Sequence, residues 1–263
     1  MSLSSYHTHS KYSDGKNTLE EMVQSAIEKG CKEIGFSDHA PMIFDCGWSM
    51  KQEQVESYKK EVTALKEKYK DKIKIYLGIE QDYFSTPAEG YDYIIGSVHF
   101  ILKDGEYLPN DLSADAMKEF VDRCYGGDVY AYCEDYYKMM ADIVRVTKCQ
   151  IVGHFDIVTK FNEKMPMIDI NHPRYINAID YALKELSKTN AIFEVNTGAI
   201  SRGYRTSSYP DNKTLDKIAK SGKPFVITSD THNVETVNFN FAEEKEKLDQ
   251  KGYKYIKSLE EII

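Results

Sequence analysis

Cysteine is scarce and never arranged for chemistry. The five residues, Cys31, Cys46, Cys124, Cys133 and Cys149, are scattered, odd in number and nowhere spaced as Cys-x-x-Cys. That pattern argues against a disulfide framework or a thiolate zinc site and fits a reducing compartment. No apolar run approaches membrane-spanning length, and Met1–Tyr6 offers no basic segment followed by an apolar one, so no signal peptide is expected. Positive charge is in deficit: 34 Lys+Arg face 42 Asp+Glu, for a net charge of −8. With no basic run of useful length, extended contact with a nucleic-acid backbone is not expected. Repeats, low-complexity tracts and Pro/Gly/Ser-rich linkers are missing too. These absences leave one soluble, cytoplasmic domain over residues 1–263 as the expectation.

What is present is a globular composition, 41% hydrophobic and 29% charged, in 263 residues. An α/β barrel typically takes about 250 residues. Strand-like and helix-like patterns alternate along the chain. A capping box, Thr18 with Glu21, opens a helix whose apolar face is Met22, Val23, Ala26 and Ile27, and Gly30 ends it. Val55, Tyr58, Val62, Leu65 and Tyr69 recur at helical spacing. Two helices are expected over 114–148, broken at Gly126-Gly127, with others over 171–188 and 211–221. Strands are expected near 3–9, 33–39, 72–83, 91–100, 151–156, 191–197 and 223–230. Seven strands mostly separated by helices imply a parallel sheet, open or closed.

The placement of histidine is the informative feature. Six of the seven (His7, His9, His39, His99, His154 and His232) fall at or just past a strand end. Asp14, Asp38, Glu80, Asp156 and Asp230 accompany them. In a parallel α/β barrel the strand C-termini open onto one face, and strand alternation puts His7 with His9 and Asp230 with His232. A single His-x-His is often a polar rim, and a single Gly-His-Phe-Asp a satisfied core histidine. No structural role, however, requires six strands to finish in imidazole or carboxylate. The joint pattern is a metal-binding composition.

These residues resemble a known family. His7-Thr-His9 with Asp14, Ser37-Asp38-His39, Gly78-Ile-Glu80, Ser97-Val-His99, Gly153-His154 and Ser229-Asp-Thr-His232 look like the PHP (polymerase and histidinol phosphatase) superfamily. The motifs keep their order over nearly the whole chain. Chain length, the Ser-Asp-His-Ala-Pro turn and the lack of a polymerase extension resemble its monofunctional histidinol-phosphate phosphatases. The resemblance implies a distorted (β/α)7 barrel with three divalent metals and hydrolysis of L-histidinol phosphate in histidine biosynthesis. Carried over by position, His7, His9, Glu80 and Asp230 would hold the first metal. Glu80 would bridge to a second, completed by His99 and His154, and Asp14, His39 and His232 would hold the third. Such His/carboxylate sets accept zinc, manganese or iron. Three divalent cations outweigh the charge of Asp14, Glu80 and Asp230, so the pocket would prefer a phosphate dianion despite the acidic surface. Asp230 and His232 are the candidates for proton traffic to the leaving alkoxide.

Outside that set the signals fade. Lys160 and Arg202 follow strand ends and are candidate phosphate binders, with Arg205 and Lys164 behind them; a solvated surface charge is the plain alternative for each. Asp45 and Trp48, in the loop after His39, are candidates for the organic part of a substrate. Glu194 and Asn196 share a strand face and either support the site or fill the interior. His172 reads as a helix-cap residue, the tyrosines over 125–137 as helix packing, and 243–251 as a charge-paired helix. A small phosphate ester is the expected partner, with neither nucleic acid nor membrane. The rivals are another PHP phosphoesterase (for a sugar phosphate, nucleotide or phosphotyrosine), a nuclease, which the net charge disfavours, and a non-catalytic metal-stabilised binding module. Oligomeric state is left open.

Overall fold

The computed structural model describes residues 3–263; Met1 and Ser2, part of the stretch searched for a leader, lie outside the described residues. The elements run β1 (Leu3–Ser5), α1 (Leu19–Glu28), β2 (Cys31–Phe36), α2 (Val55–Tyr69), β3 (Lys74–Asp82) and β4 (Tyr93–Ser97). A hairpin, β5 (Phe100–Lys103) and β6 (Glu106–Pro109), leads to α3 (Ala114–Tyr125), α4 (Val129–Thr147) and β7 (Ile151–Val152). The remainder is α5 (Pro173–Leu186), β8 (Ile192–Asn196), the single turn α6 (Gly198–Ser201), α7 (Asn212–Lys220), β9 (Phe225–Thr228) and α8 (Phe241–Lys251).

Seven strands form one parallel sheet in the order β1-β2-β3-β4-β7-β8-β9. Just past the ends of β1 and β9, Thr8 and Thr231 pair in parallel. His9 N donates to Thr231 O at 2.9 Å and Thr231 N to His7 O at 3.1 Å, so the first and last strands meet and close the barrel. The helices obey their local signals. Thr18 and Glu21 make the reciprocal capping box at α1, and Gly126 (φ 59°) ends α3 in the left-handed conformation that glycine tolerates best. On α5 the buried face is Tyr175, Ala178, Ile179, Ala182 and Leu186, with Ile176 and Leu183 partly covered at its margin.

Three expectations are corrected. The strand expected over 151–156 stops at Val152, because His154 turns to φ 28° and gives its N–H to Glu194 Oε2 at 3.0 Å instead of a ladder partner. The strand expected over 91–100 ends at Ser97, and Phe100 begins the antiparallel hairpin, which the sequence pattern did not announce. Asp230 sits at φ 45°, so its alignment with His232 does not come from simple strand alternation.

Alternation along the strands stratifies the interior. Tyr76, Tyr93, Ile95, Ile151, Ile192 and Val226 form an apolar cluster with Ile256 and Leu259 from the C-terminal segment. Two and four residues further along, the same strand faces carry Glu80, Ser97, Glu194, Asn196 and Thr228, all buried. The apolar layer is thus at the strand N-termini and the polar layer at the C-termini. Between them Gly78 makes room for Tyr93, since a Cβ there would stand 2.3 Å from the Tyr93 ring and 2.6 Å from the Phe36 carbonyl oxygen. Among the described residues no helix is long and apolar enough to cross a membrane.

Overpacking at this point has no relief, because both obstacles are buried. Gly78→Ala is expected to destabilise the fold by about 1–3 kcal/mol, read as a lower urea midpoint with an unchanged slope. An unchanged midpoint would mean that the Tyr93 ring can shift.

Candidate metal centre

The polar layer continues into the loops beyond the strand ends, and six imidazoles converge there. Glu80, on the inner face of β3, is central. Its Oε2 lies 3.1 Å from His7 Nε2, 3.5 Å from His9 Nε2 and 2.9 Å from His39 Nδ1. Its Oε1 lies 2.8 Å from His154 Nε2 and 3.5 Å from His99 Nε2. Ligand-type atoms gather within 4.8 Å of one another in four overlapping groups: His7, His9 and Asp230; His7, Glu80 and His154; His39, Glu80 and His99; and His9, Asp14, His39 and His232. All nine residues singled out as metal ligands fall in these groups. The grouping differs in detail from the sequence-based assignment: His9 stands also with Asp14, His39 and His232, while His99 and His154 fall into separate groups around Glu80.

Supporting residues orient the rings. His7 Nδ1 donates to Glu194 Oε1 at 2.6 Å; a carboxylate only accepts, so Nε2 of a neutral His7 carries its lone pair toward Glu80. Glu194 also receives the His154 N–H and the Asn196 side-chain amide. Asp82 Oδ2 takes the backbone N–H of His99 at 2.7 Å and lies 3.3 Å from its Nδ1. The Ser97 hydroxyl donates to Glu80 Oε1 at 2.5 Å. Glu194 and Asn196 thus serve the site rather than merely filling the barrel.

The carboxylates and imidazoles shift one another: burial alone would lower His7, His39 and His99, but neighbouring carboxylates, Glu80 among them, raise all three. Burial alone would raise the Glu80 carboxyl, but the imidazoles of His39, His7 and His99 outweigh it and hold it well below the usual range. Burial, followed by the nearby His232 and His39 rings, pushes His9 down to about 3, and its ring packs 4.1 Å from that of His232 and 4.3 Å from that of His39. His7 Nε2, both His9 nitrogens, His99 Nδ1, His154 Nδ1 and Glu80 Oε2 are buried without a hydrogen-bond partner. Each such orphan costs about 1–3 kcal/mol. Clustered imidazole lone pairs and carboxylates, otherwise unsatisfied, fit a divalent cation.

The centre opens into a cavity of about 280 Å³ lined also by Trp48, Asp111, Leu112, Lys160, Arg202 and Tyr204. Three of the four candidates for substrate contact therefore reach it. Lys160 donates to the backbone oxygen of Asp111 at 3.0 Å, and its Nζ lies 3.3 Å from Asp111 Oδ2. Arg202 donates to Asp230 O at 2.8 Å and to Asp230 Oδ2 at 3.0 Å. Trp48 sets its ring edge-on to His39 at 4.4 Å and parallel to Phe100. The fourth, Asp45, does not line the cavity: its side chain is 77% exposed, accepts the Gly47 N–H and pairs with Lys51. Sequence proximity to His39 misplaced it: the carboxylate bonds within its own loop, to the Gly47 N–H, and faces solvent with Lys51.

Of the remaining candidates, Arg205 is buried against Asp156 at 3.6 Å and Thr159 at 3.0 Å. Lys164 is exposed beside Tyr204. His172 caps α5 by accepting the Arg174 N–H. Tyr132, Tyr136 and Tyr137 are buried in helix packing. Asp38 fastens Ser10 and Ser13 and joins no metal group. Sequence reasoning missed Asp82, Ser97 and Asp111. The first had a signal, lying two residues beyond Glu80 on one strand face; Asp111 had none, being in the connection that follows the unanticipated hairpin.

Residues 5–198 match the PHP domain, and the chain belongs to the PHP domain family; Asp230 and His232 lie beyond the matched span. Among its relatives, the histidinol-phosphatase of Bacillus subtilis is 28% identical over 261 residues, covering 89% of this chain and 95% of that protein. The fold is that of the hisK product of Listeria monocytogenes, with a TM-score of 0.80 at 22% identity over 92% of this chain and 99% of the other. It is likewise that of the Lactococcus lactis histidinol phosphate phosphatase solved with zinc, L-histidinol and phosphate, with a TM-score of 0.67 at 21% identity over 96% and 95% of the two chains.

Because Glu194 orients His7 and anchors His154, its loss is felt at the metal without removing a ligand. Glu194→Ala is expected to weaken divalent-cation binding by about 10–100-fold, measured by competition with a chromophoric chelator. Unaltered affinity would mean that the rings are held by packing alone.

Proposed function

We propose that this chain is a metal-dependent phosphomonoesterase that hydrolyses L-histidinol phosphate to L-histidinol and phosphate, with residues 1–263 acting as one PHP-type domain. The observation that carries this is the charge of the cavity. Its lining holds four carboxylates, Asp14, Glu80, Asp111 and Asp230, against two permanent cations, Lys160 and Arg202. Without added cations a phosphate dianion would be repelled; with three divalent ions it is attracted. The histidinol-phosphatase of Bacillus subtilis, matched over almost its whole length, supports the choice of ester.

In this proposal His7, His9, Glu80 and Asp230 would hold one ion, Glu80, His99 and His154 a second, and Asp14, His39 and His232 a third. When bound, such ions neutralise phosphoryl oxygens and lower the pKa of water. In hydrolysis a water oxygen bonds to phosphorus, the ester P–O bond breaks, and the departing alkoxide takes a proton. Asp230 and His232 are assigned to that proton traffic. His232 is the most open of the six imidazoles, with 20% of its side chain exposed, and its Nε2 lies 3.2 Å from Asp14 Oδ2. Lys160 and Arg202 are assigned to the phosphate oxygens, and Trp48 to one wall for the organic group. The net charge of −8 and the small size of the cavity, about 280 Å³, favour a small ester over nucleic acid.

Two measurements test this. Metal-loaded protein assayed on a panel of phosphate esters is expected to give its highest kcat/KM with L-histidinol phosphate; a preference for a sugar phosphate, a nucleotide or p-nitrophenyl phosphate would refute the substrate. Elemental analysis is expected to find close to three divalent ions per chain, and Glu80→Ala to lose two of them together. Loss of one ion with normal turnover would remove Glu80 from the bridging position.

A further inference from the structure

The proposed substrate is zwitterionic, with an ammonium group as well as a phosphate, and the cavity contains one carboxylate that the metal groups leave over. Asp14, Glu80 and Asp230 all belong to those groups; Asp111 lines the same cavity and belongs to none. It lies in the connection between β6 and α3, and the residue before it pins that connection to the centre. Asn110 N donates to His99 O at 2.8 Å, its side-chain amide donates to Val98 O at 2.9 Å, and the Tyr132 hydroxyl donates to its Oδ1 at 3.0 Å. Asn110 and Tyr132 are fully buried. The Asp111 backbone is therefore held beside His99 rather than hanging at the mouth.

The partner of Asp111 is the lysine assigned to the phosphate. Lys160 Nζ stands 3.3 Å from Asp111 Oδ2 and 4.7 Å from the centre of the Tyr204 ring, so in the free protein these two charges neutralise each other at the cavity wall. We propose that Asp111 receives the ammonium group of the substrate in exchange for Lys160, which passes to the phosphate. The inference rests on the phosphomonoesterase proposal and adds to it the group that reads the amine. One ion pair opens and two form, so no charge at the wall is stranded. An ester that brings phosphate but no cation draws Lys160 away and leaves the Asp111 carboxylate, already partly covered, without a counter-charge. The site thereby rejects amine-free phosphates, the way a polar group left unpaired penalises an analogue that cannot satisfy it. Asp45 cannot take this part, since it pairs with Lys51 on the outer surface.

The test compares kcat/KM for two esters that differ only in the amine, L-histidinol phosphate and its deaminated imidazolylpropyl analogue. The wild-type protein is expected to favour the amine-bearing ester by at least about tenfold, and Asp111→Asn to bring the ratio close to one with metal content retained. An active Asp111→Asn protein with the wild-type ratio overturns the role of Asp111. Should that variant not fold, inhibition of the wild-type protein by the two dephosphorylated alcohols decides the matter: tighter inhibition by L-histidinol supports the exchange, and equal inhibition overturns it. Failure of the wild-type protein to hydrolyse either ester would instead sink the phosphomonoesterase proposal on which the inference stands.

Discussion

One buried carboxylate organises this molecule. Glu80 sits on the inner face of β3 with its two oxygens within 3.5 Å of nitrogen atoms from five imidazoles. A carboxylate so placed is costly unless surrounded by hydrogen-bond donors or cations. The environment that compensates it is the same one that supplies a metal centre. Four other strands contribute to it through the residues just past their ends, and Ser97 and Glu194 complete it from the strand faces. The division of the barrel interior follows. Below Glu80 the strands point tyrosine and isoleucine inward, and Gly78 lets the Tyr93 ring fill the space beneath.

How much of this could be read from the sequence depended on the range of the signal. Each candidate ligand histidine was visible because it follows an apolar strand pattern, and strand-end position in a parallel barrel means convergence whatever the details of packing. Glu80 was visible for the same reason, as a charge inside an otherwise apolar run. The capping box at Thr18 and the break at Gly126 are local, and local rules sufficed for them. What failed was information carried by the path of loops. Asp45 is close to His39 along the chain yet outside the cavity lining, because its carboxylate is taken up by Gly47 N–H and Lys51 on the solvent side. Asp111 is far from every motif and beside the centre, because a four-residue-per-strand hairpin carries it back over His99.

The interior face of β8 marks an intermediate case. Glu194 and Asn196 were evident as a polar pair on one strand, but a barrel interior accepts paired polar groups for their own sake. Only the 2.6 Å contact from His7 Nδ1 to Glu194 separates the two uses. It fixes which nitrogen of His7 faces the centre, a choice of tautomer that sequence pattern does not encode.

The seam between the first and last strands bears on how the protein comes into being. His7 and His9 flank Thr8, and Asp230 and His232 flank Thr231, so the paired threonines that close the barrel also bring candidate ligands from opposite ends of the chain together. A ribosome releases the N-terminal histidines long before the strand that completes their surroundings. The groups that join His7 and His9 to Asp230 and His232 are complete only once β9 has been made. The two ends of the chain are therefore fastened to each other where their histidines and Asp230 gather, so neither terminal strand can leave the seam without dispersing those groups.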